Sequence, residues 1–168
     1  MTLGSNLRLN DFMPELRSKH LAHLSSFAAK PVVFFTVVAA RRQAVLANGA
    51  LQEILHGIWA LAGERNGWWV GDYLLMPDHV HFFARAGREA MPMKKWVQMW
   101  KSLSARQWMA LQRTSAPLWQ EDYFDRYLRS AENYSEKWVY VEANPVRKGL
   151  VARPENWPYR GKIHELRF

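Results

Sequence analysis

Two histidines separated by one residue lie inside an apolar segment, LLMPDHVHFF, at positions 74–83. The β-branched and aromatic neighbours predict a strand, on which His79 and His81 project to the same side while Val80 and Phe82 point into the core. Two neutral imidazoles suit a divalent metal ion when a third ligand comes from elsewhere. Two unrelated histidines at the end of a strand would show the same spacing, and the spacing alone does not decide between them.

The next candidate for chemistry is Tyr140, which lies on a helix predicted over residues 131–144. Asn144-Pro145 ends this helix. Tyr140 shares a polar face with Lys137 and Asn144, so its hydroxyl can meet other chemistry. A boundary tyrosine with its hydroxyl in water is the alternative, because tyrosine is commonly half-buried. The opposite face is apolar and carries Ala131, Tyr134, Trp138 and Val141.

The elements that would position these side chains occur in the order strand, helix, strand, strand, helix, strand, helix. This order is that of the split βαβ, ferredoxin-like arrangement, so we expect an α+β fold with an antiparallel sheet and helices packed on it. The second face of the sheet is left for a ligand or a third helix. The predicted segments are strands 31–40, 68–76 and 79–86, helices 50–65, 93–112 and 131–144, and a strand or irregular segment within 118–130.

The length of 168 residues predicts a single domain over 1–168. Residues 1–30 lack a strong period, and we interpret them as an N-terminal extension. The chain has no cysteine, which excludes disulfides, thiolate metal sites and a cysteine nucleophile. Its longest apolar segment is too short to span a bilayer, and its N-terminus has no apolar signal core. These features predict a cytoplasmic protein without a membrane partner.

Positive charge is concentrated in the second half of the chain. Residues 91–168 carry fourteen basic and eight acidic residues, whereas residues 1–90 carry nine and seven. A basic half on a small aromatic-rich domain is what a polyanion binder needs, although a solubilising surface explains the same charge. The candidate contacts to a polyanion lie on the outer face of helix 93–112, in two loops and beside the tyrosine: Lys94, Lys101, Arg41, Arg42, Arg147, Lys148 and Lys137.

The segments MPDHVHFF (76–83), WQEDYFDRYLRS (119–130) and VYVEANPVRKGLV (139–151) together resemble the REP-associated tyrosine transposases. These are chromosomal relatives of the single-tyrosine HUH transposases of small insertion sequences, and the resemblance covers about residues 31–160. It implies an HUH-endonuclease type of fold, with Tyr140 as the nucleophile. It also implies a metal site formed by His79, His81 and Asn144.

The resemblance further implies an activity and its partners. The protein would cleave and rejoin single-stranded DNA at hairpins from extragenic palindromic repeats, through a covalent 5′-phosphotyrosine and a free 3′-hydroxyl. The cofactor would be Mg²⁺ or Mn²⁺, and the protein would be associated with the nucleoid. The oligomeric state stays open between monomer and dimer.

Two other functions fit the same elements. One is a non-catalytic binder of structured single-stranded DNA or RNA, in which the histidines and the tyrosine are relics. The other is an RNA-binding module on a ferredoxin-like sheet, which would need paired aromatic residues facing outward on adjacent strands. Phe82 and Phe83 are adjacent in sequence and therefore face opposite ways, which disfavours the RNA module.

Overall fold

The computed structural model describes residues 30–167, so the predicted extension falls almost entirely outside the described residues. The described chain forms a five-stranded antiparallel sheet in the order β4-β1-β3-β2-β5. The strands are β1 (Val32–Val38), β2 (Trp68–Leu75), β3 (His79–Ala86), β4 (Phe124–Leu128) and β5 (Arg160–Lys162). The helices are α1 (Gly49–Ala60), α2 (Ala62–Asn66), α3 (Met93–Gln112), α4 (Ala131–Glu142) and α5 (Asn144–Arg147). The predicted α+β, ferredoxin-like fold is confirmed, whereas β5 was not predicted.

One face of the sheet packs against α1 and α3 in a large aromatic core. Phe35 of β1 and Phe82 of β3 stack with ring centroids 4.8 Å apart, and both are fully buried. Trp96 and Trp100 of α3 contact the same ring of Phe82. The prediction that Val80 and Phe82 point into the helix-backed core is confirmed.

The other face of the sheet is covered in part by α4, which is the third helix that the element order allowed. Its apolar side chains join a smaller cluster with Phe34 and Phe83 of the sheet. Tyr134 and Trp138 contact the Phe83 ring at centroid distances of 4.3 and 6.1 Å. Ala131, predicted on the apolar face, is exposed because it occupies the first turn, before the helix reaches the sheet.

Two predicted helices differ from the observed ones at their C-terminal ends. The helix predicted over 50–65 is divided at Leu61, which ends α1 and begins α2. The helix predicted over 131–144 ends at Glu142, and Asn144 begins the separate short helix α5 with Pro145 in its first turn. Proline lacks a backbone N–H and fits the first turn of a helix but not its interior, which explains the break.

Lys101 was predicted on the exposed basic face of α3, and that placement is wrong. Its side chain is buried, and its Nζ donates to the carbonyl oxygens of Gln120 and Glu121 at 2.5 and 2.7 Å. Burial lowers the pKa of its ammonium group. The segment that precedes β4 crosses this part of α3, which a helical projection of the sequence does not reveal.

No helix within residues 30–167 has both the length and the apolar composition needed to cross a membrane.

A buried polar contact fixes α4 to the sheet. The hydroxyl of Tyr134 donates to the carboxylate of Asp72, a buried residue of β2. Burial, together with the Asp72 carboxylate, raises the pKa of Tyr134. Gly71 lets α4 approach, because a Cβ there would lie 3.2 Å from the Tyr134 hydroxyl.

Tyr134→Phe should lower the free energy of unfolding by about 1–3 kcal/mol, because the buried Asp72 carboxylate would lose its hydroxyl donor and keep, among the described residues, only the Lys162 ammonium group, 3.7 Å away. Urea denaturation measures this change. Tyr127→Phe, on the edge strand β4, is the matched control and should change stability by less than about 0.5 kcal/mol. An equal loss in both variants would contradict the assigned role of the Tyr134 hydroxyl.

Candidate metal and nucleophile site

The two histidines of β3 point their Nε2 atoms at each other. The Nε2 atoms of His79 and His81 are 3.1 Å apart, and each Nδ1 has its own partner. Nδ1 of His79 lies 2.6 Å from the Asp78 carboxylate, and Nδ1 of His81 lies 2.8 Å from Oγ1 of Thr36. Such partners orient the ring of a metal-binding histidine and leave Nε2 available to the metal. The prediction that both imidazoles project together is therefore confirmed.

The electrostatic surroundings keep His81 neutral. Burial lowers the pKa of His81 well below its usual value. The neighbouring charges of His79, Lys137 and Arg147 lower it further. Neutral imidazole is the form that binds metal ions, so His81 has the protonation state of a ligand at neutral pH.

The short connection between β2 and β3 holds His79 in place. Asp78 lies in the two-residue turn, and its carboxylate also accepts from Nη1 of Arg42 at 3.1 Å. The hydrogen bond from His79, the His79 charge and the Arg42 guanidinium together lower the pKa of Asp78 to about 2, against the effect of burial. Asp78 is therefore ionised at neutral pH.

Arg41 and Arg42 adopt left-handed backbone conformations, with φ values of 54° and 53°. Side chains with a Cβ rarely adopt this region, and such strain is found preferentially at functional sites. The turn directs Arg42 onto Asp78 while Arg41 is exposed. Arg42 therefore supports the Asp78–His79 pair, whereas Arg41 is accessible to a ligand.

Tyr140 lies in the last turns of α4, and 45% of its surface is exposed. The ammonium group of Lys137 lies 5.4 Å from the centroid of the Tyr140 ring and 4.7 Å from that of Phe34. Phe34 in turn stacks on His81, with centroids 5.3 Å apart. A chain of contacts thus connects the tyrosine to the imidazoles across the interface between helix and sheet.

Arg147 of α5 contacts Tyr140, near the end of α4, and Asn144, at the start of α5. Its guanidinium lies 4.0 Å from the centroid of the Tyr140 ring. Its Nη2 donates to the carbonyl oxygen of Tyr140 at 2.8 Å and to Oδ1 of Asn144. The sequence placed Arg147 in a loop with Lys148, but it ends α5, because the chain continues helically through Pro145.

The donor atoms fit a divalent ion. The chain offers two convergent imidazole nitrogens and, one turn after Tyr140, the amide oxygen of Asn144. No group of three or more His, Cys, Asp or Glu side chains within residues 30–167 is arranged to hold a metal ion. Imidazole nitrogens and amide oxygens are both donor types that divalent ions such as Mn²⁺ accept, so Asn144 stays the predicted third ligand beside the two histidines.

The remaining candidate DNA contacts differ in accessibility. Lys94, near the start of α3, and Lys148 are exposed. Lys137 is half-buried, and burial followed by the Arg126 charge lowers its pKa. Lys101 is engaged by carbonyl oxygens, as described above.

Sequence reasoning missed three residues that shape the site: Phe34, Thr36 and Asp78. Asp78 had a signal, since a carboxylate directly before a histidine can reach its Nδ1. Thr36 and Phe34 lie on β1, and Thr36 pairs directly with His81. Their roles depend on the register between β1 and β3, which no local pattern in the sequence defines.

Comparison with known families gives the relationship of the chain. The sequence profile described as "Transposase IS200 like" matches residues 32–144, more than half of the chain. This protein belongs to the IS200-like transposase family. The matched range begins at β1 and ends at Asn144, so it contains the histidine pair and Tyr140.

Relatives of this IS200-like transposase agree with that assignment. The "REP-associated tyrosine transposase" of Escherichia coli (strain K12) is 24% identical over 132 residues, which cover 75% of this chain and 73% of the relative. The resemblance predicted from the motifs is confirmed.

Two solved structures share the fold of this IS200-like transposase. The structure of a REP-associated tyrosine transposase bound to a REP hairpin matches with a TM-score of 0.61 and 18% identity, covering 83% of this chain and 81% of that one. A putative transposase from Deinococcus radiodurans R1 matches with a TM-score of 0.51 and 21% identity, covering 73% and 96%. The predicted HUH-endonuclease type of fold is confirmed.

Asp78→Asn should weaken Mn²⁺ binding by about ten-fold, because a neutral amide orients His79 less firmly and makes its Nε2 less basic. Isothermal titration of Mn²⁺ into the DNA-free protein measures this affinity. Asp122→Asn makes the same chemical change at an exposed position outside the site and should leave the affinity unaltered. Unchanged Mn²⁺ binding in Asp78→Asn would disprove the supporting role of Asp78.

Proposed function

We propose that this transposase cleaves and rejoins single-stranded DNA at hairpin-forming repeats, with Tyr140 as the nucleophile. The observation that carries the proposal is the docking of α4 on the sheet face that presents the convergent Nε2 atoms of His79 and His81. The same helix carries Tyr140, and Asn144 follows one turn later at the start of α5. Membership of a transposase family supports DNA strand transfer as the use of this arrangement.

The reaction that these groups would perform is a transesterification. The Tyr140 oxygen forms a bond to phosphorus, the bond from phosphorus to the 3′ oxygen breaks, and the phenolic proton is lost to solvent. The departing 3′ oxygen takes up a proton and leaves as a free hydroxyl, while the 5′ end stays attached as a phosphotyrosine. Since one phosphodiester replaces another, attack by a 3′-hydroxyl reverses the step and rejoins a strand.

A divalent ion bound by His79, His81 and Asn144 would withdraw charge from an oxygen of the phosphodiester. The other contributions come from the chain itself. Thr36 and Asp78 hold the imidazoles, and Phe34 supports the His81 ring from the side of the sheet. Lys137, whose ammonium group lies beside the Tyr140 ring, provides positive charge for a phosphate or for the developing phenolate.

Tyr134 is the other tyrosine of α4 and was the next candidate for the nucleophile. Its hydroxyl is half-buried and donates to Asp72, and burial with that carboxylate raises its pKa. A hydroxyl with a raised pKa and a buried acceptor is a poor nucleophile. Tyr140, which is exposed and lies beside the Lys137 ammonium group, is the better assignment.

The DNA partner is proposed to be a hairpin with an adjoining single-stranded segment. The REP-associated tyrosine transposase of known structure is bound to a REP hairpin, which supports this substrate class. Single-stranded DNA suits the position of Tyr140 at the interface of α4 and the sheet, where a paired strand would meet the helix. Exposed cations available to DNA are Arg41, Lys94 and Lys148, of which Lys94 lies on α3, on the side of the sheet opposite α4. Lys101 is left out of the set because carbonyl oxygens engage its ammonium group. A protein acting on chromosomal repeats would be found with the nucleoid.

Two alternatives are separated by specific observations. A non-catalytic binder of structured single strands would need neither the oriented imidazoles nor the exposed Tyr140, yet both are in place. An RNA module would need exposed aromatic rings on its central strands. Phe82 and Phe83 lie on opposite faces of β3 and both are fully buried, which argues against base stacking on that sheet.

Tyr140→Phe should abolish cleavage and the covalent adduct, because it removes the attacking oxygen and keeps the ring. Denaturing gel electrophoresis of the protein incubated with a labelled DNA hairpin and Mn²⁺ detects the adduct, and an RNA hairpin of the same sequence runs beside it. Tyr127→Phe is the control and should retain the adduct. Cleavage by Tyr140→Phe would move the nucleophile elsewhere, and DNA binding without an adduct in the wild type would favour the non-catalytic binder.

The affinity for DNA should fall steeply as the salt concentration rises, whereas the specificity of binding should depend on the shape of the DNA. The logarithm of affinity should fall with the logarithm of salt by about 0.7 per phosphate contact for single strands, so Lys94→Gln and Lys148→Gln should each reduce the slope by about that amount. Lys162→Gln is the control, because the Lys162 ammonium group at the end of β5 is already paired with the carboxylates of Glu165 and Asp72. Fluorescence anisotropy with a hairpin, a scrambled single strand and a blunt duplex measures both effects. Equal affinity for all three ligands would refute structural specificity.

A further inference from the structure

Arg147 makes a contact that conflicts with the proposed metal site. Its Nη2 donates to Oδ1 of Asn144, the same atom that would coordinate a divalent ion. Guanidinium has donors only, so the Asn144 atom that faces it must be the oxygen. An ion at a normal coordination distance from that oxygen would lie close to a permanent positive charge, and the two cations would repel each other.

The same guanidinium also covers the proposed nucleophile. It stacks over the Tyr140 ring at 4.0 Å and donates to the Tyr140 carbonyl oxygen in the last turn of α4. Both contacts are favourable without DNA, since the C-terminal end of a helix attracts a cation and an aromatic face binds guanidinium. The arginine therefore has a stable position that covers Tyr140 and engages Asn144.

We propose that Arg147 competes with the divalent ion for Asn144 in the DNA-free protein and moves to a DNA phosphate when substrate binds. This inference rests on the proposed function and names a further substrate-contacting residue of the same site. A phosphate offers arginine two charge-assisted hydrogen bonds, which are stronger than bonds to neutral carbonyl oxygens. The side chain is exposed, so it reaches solvent and substrate without any movement of the core.

The consequence is a positive coupling between DNA and metal. DNA that removes Arg147 from Asn144 must strengthen metal binding, and by reciprocity the metal must strengthen DNA binding by the same factor. A residue with a purely structural role would produce the opposite result, because its loss would weaken the metal site. The direction of the effect of an Arg147 variant therefore distinguishes competition from structural support.

The test measures Mn²⁺ affinity by electron paramagnetic resonance of the free ion, with and without a DNA hairpin. All proteins carry Tyr140→Phe, which keeps the aromatic ring and prevents cleavage, so the readout does not depend on activity. Without Arg147 substitution, the hairpin should raise Mn²⁺ affinity by about ten-fold, within the usual range for coupled sites. Arg147→Met should bind Mn²⁺ several-fold more tightly without DNA and should lose most of the increase caused by DNA.

Arg153→Met is the matched control, because it makes the same substitution at an exposed arginine that is not among the proposed DNA or metal contacts. It should leave the coupling to DNA in place, which separates competition at Asn144 from general electrostatics. Arg147→Lys keeps the charge and loses the planar fork, so it should also bind Mn²⁺ more tightly without DNA. Mn²⁺ binding in Arg147→Met that is equal to or weaker than in the parent, or coupling that persists in full, would overturn the proposal. Failure of the wild type to form an adduct would reject the proposed function and leave this result standing.

Discussion

The candidate site depends on the alternation of side chains along β3. Residues on one side, Val80 and Phe82, enter the aromatic core against α1 and α3, and this burial determines which way the strand faces. His79 and His81 must then project from the opposite face, toward α4. A shift of one residue in the register would place the imidazoles in the core and an aromatic ring at the site. The larger hydrophobic cluster of the described chain thus determines the orientation of the His79 and His81 side chains.

The second requirement is that α4 lies at a defined position on the sheet. Tyr134 pairs with Asp72, and the apolar side of the helix packs on Phe83, so rotation of the helix about its axis would break a buried hydrogen bond. The orientation that these contacts fix places Tyr140 beside Lys137, away from the apolar cluster. The chain stays helical through Ala143 into α5, so Arg147 lies on the same side as Tyr140 and Asn144 and its guanidinium reaches the tyrosine ring.

The sequence predicted most of the secondary structure because each element has a strong periodic pattern and a clear end signal. It also placed Tyr140 correctly on the polar side of its helix, since amphipathic patterns report which face is buried. The prediction failed for Lys101, because its ammonium group is buried under the segment that precedes β4, which is a separate part of the chain. It failed for β5 as well, because three residues are too few for a recognisable alternation.

The sequence by itself determined the alternation of β3, the amphipathic character of α4 and the family motifs, because all three depend on neighbours along the chain. Only the tertiary structure decided the partners of the site. Thr36 meets His81 through the register of two strands, and Tyr134 of α4 meets Asp72 of β2 across the interface between helix and sheet. These contacts depend on packing between elements, and packing is the property that local composition and spacing do not encode.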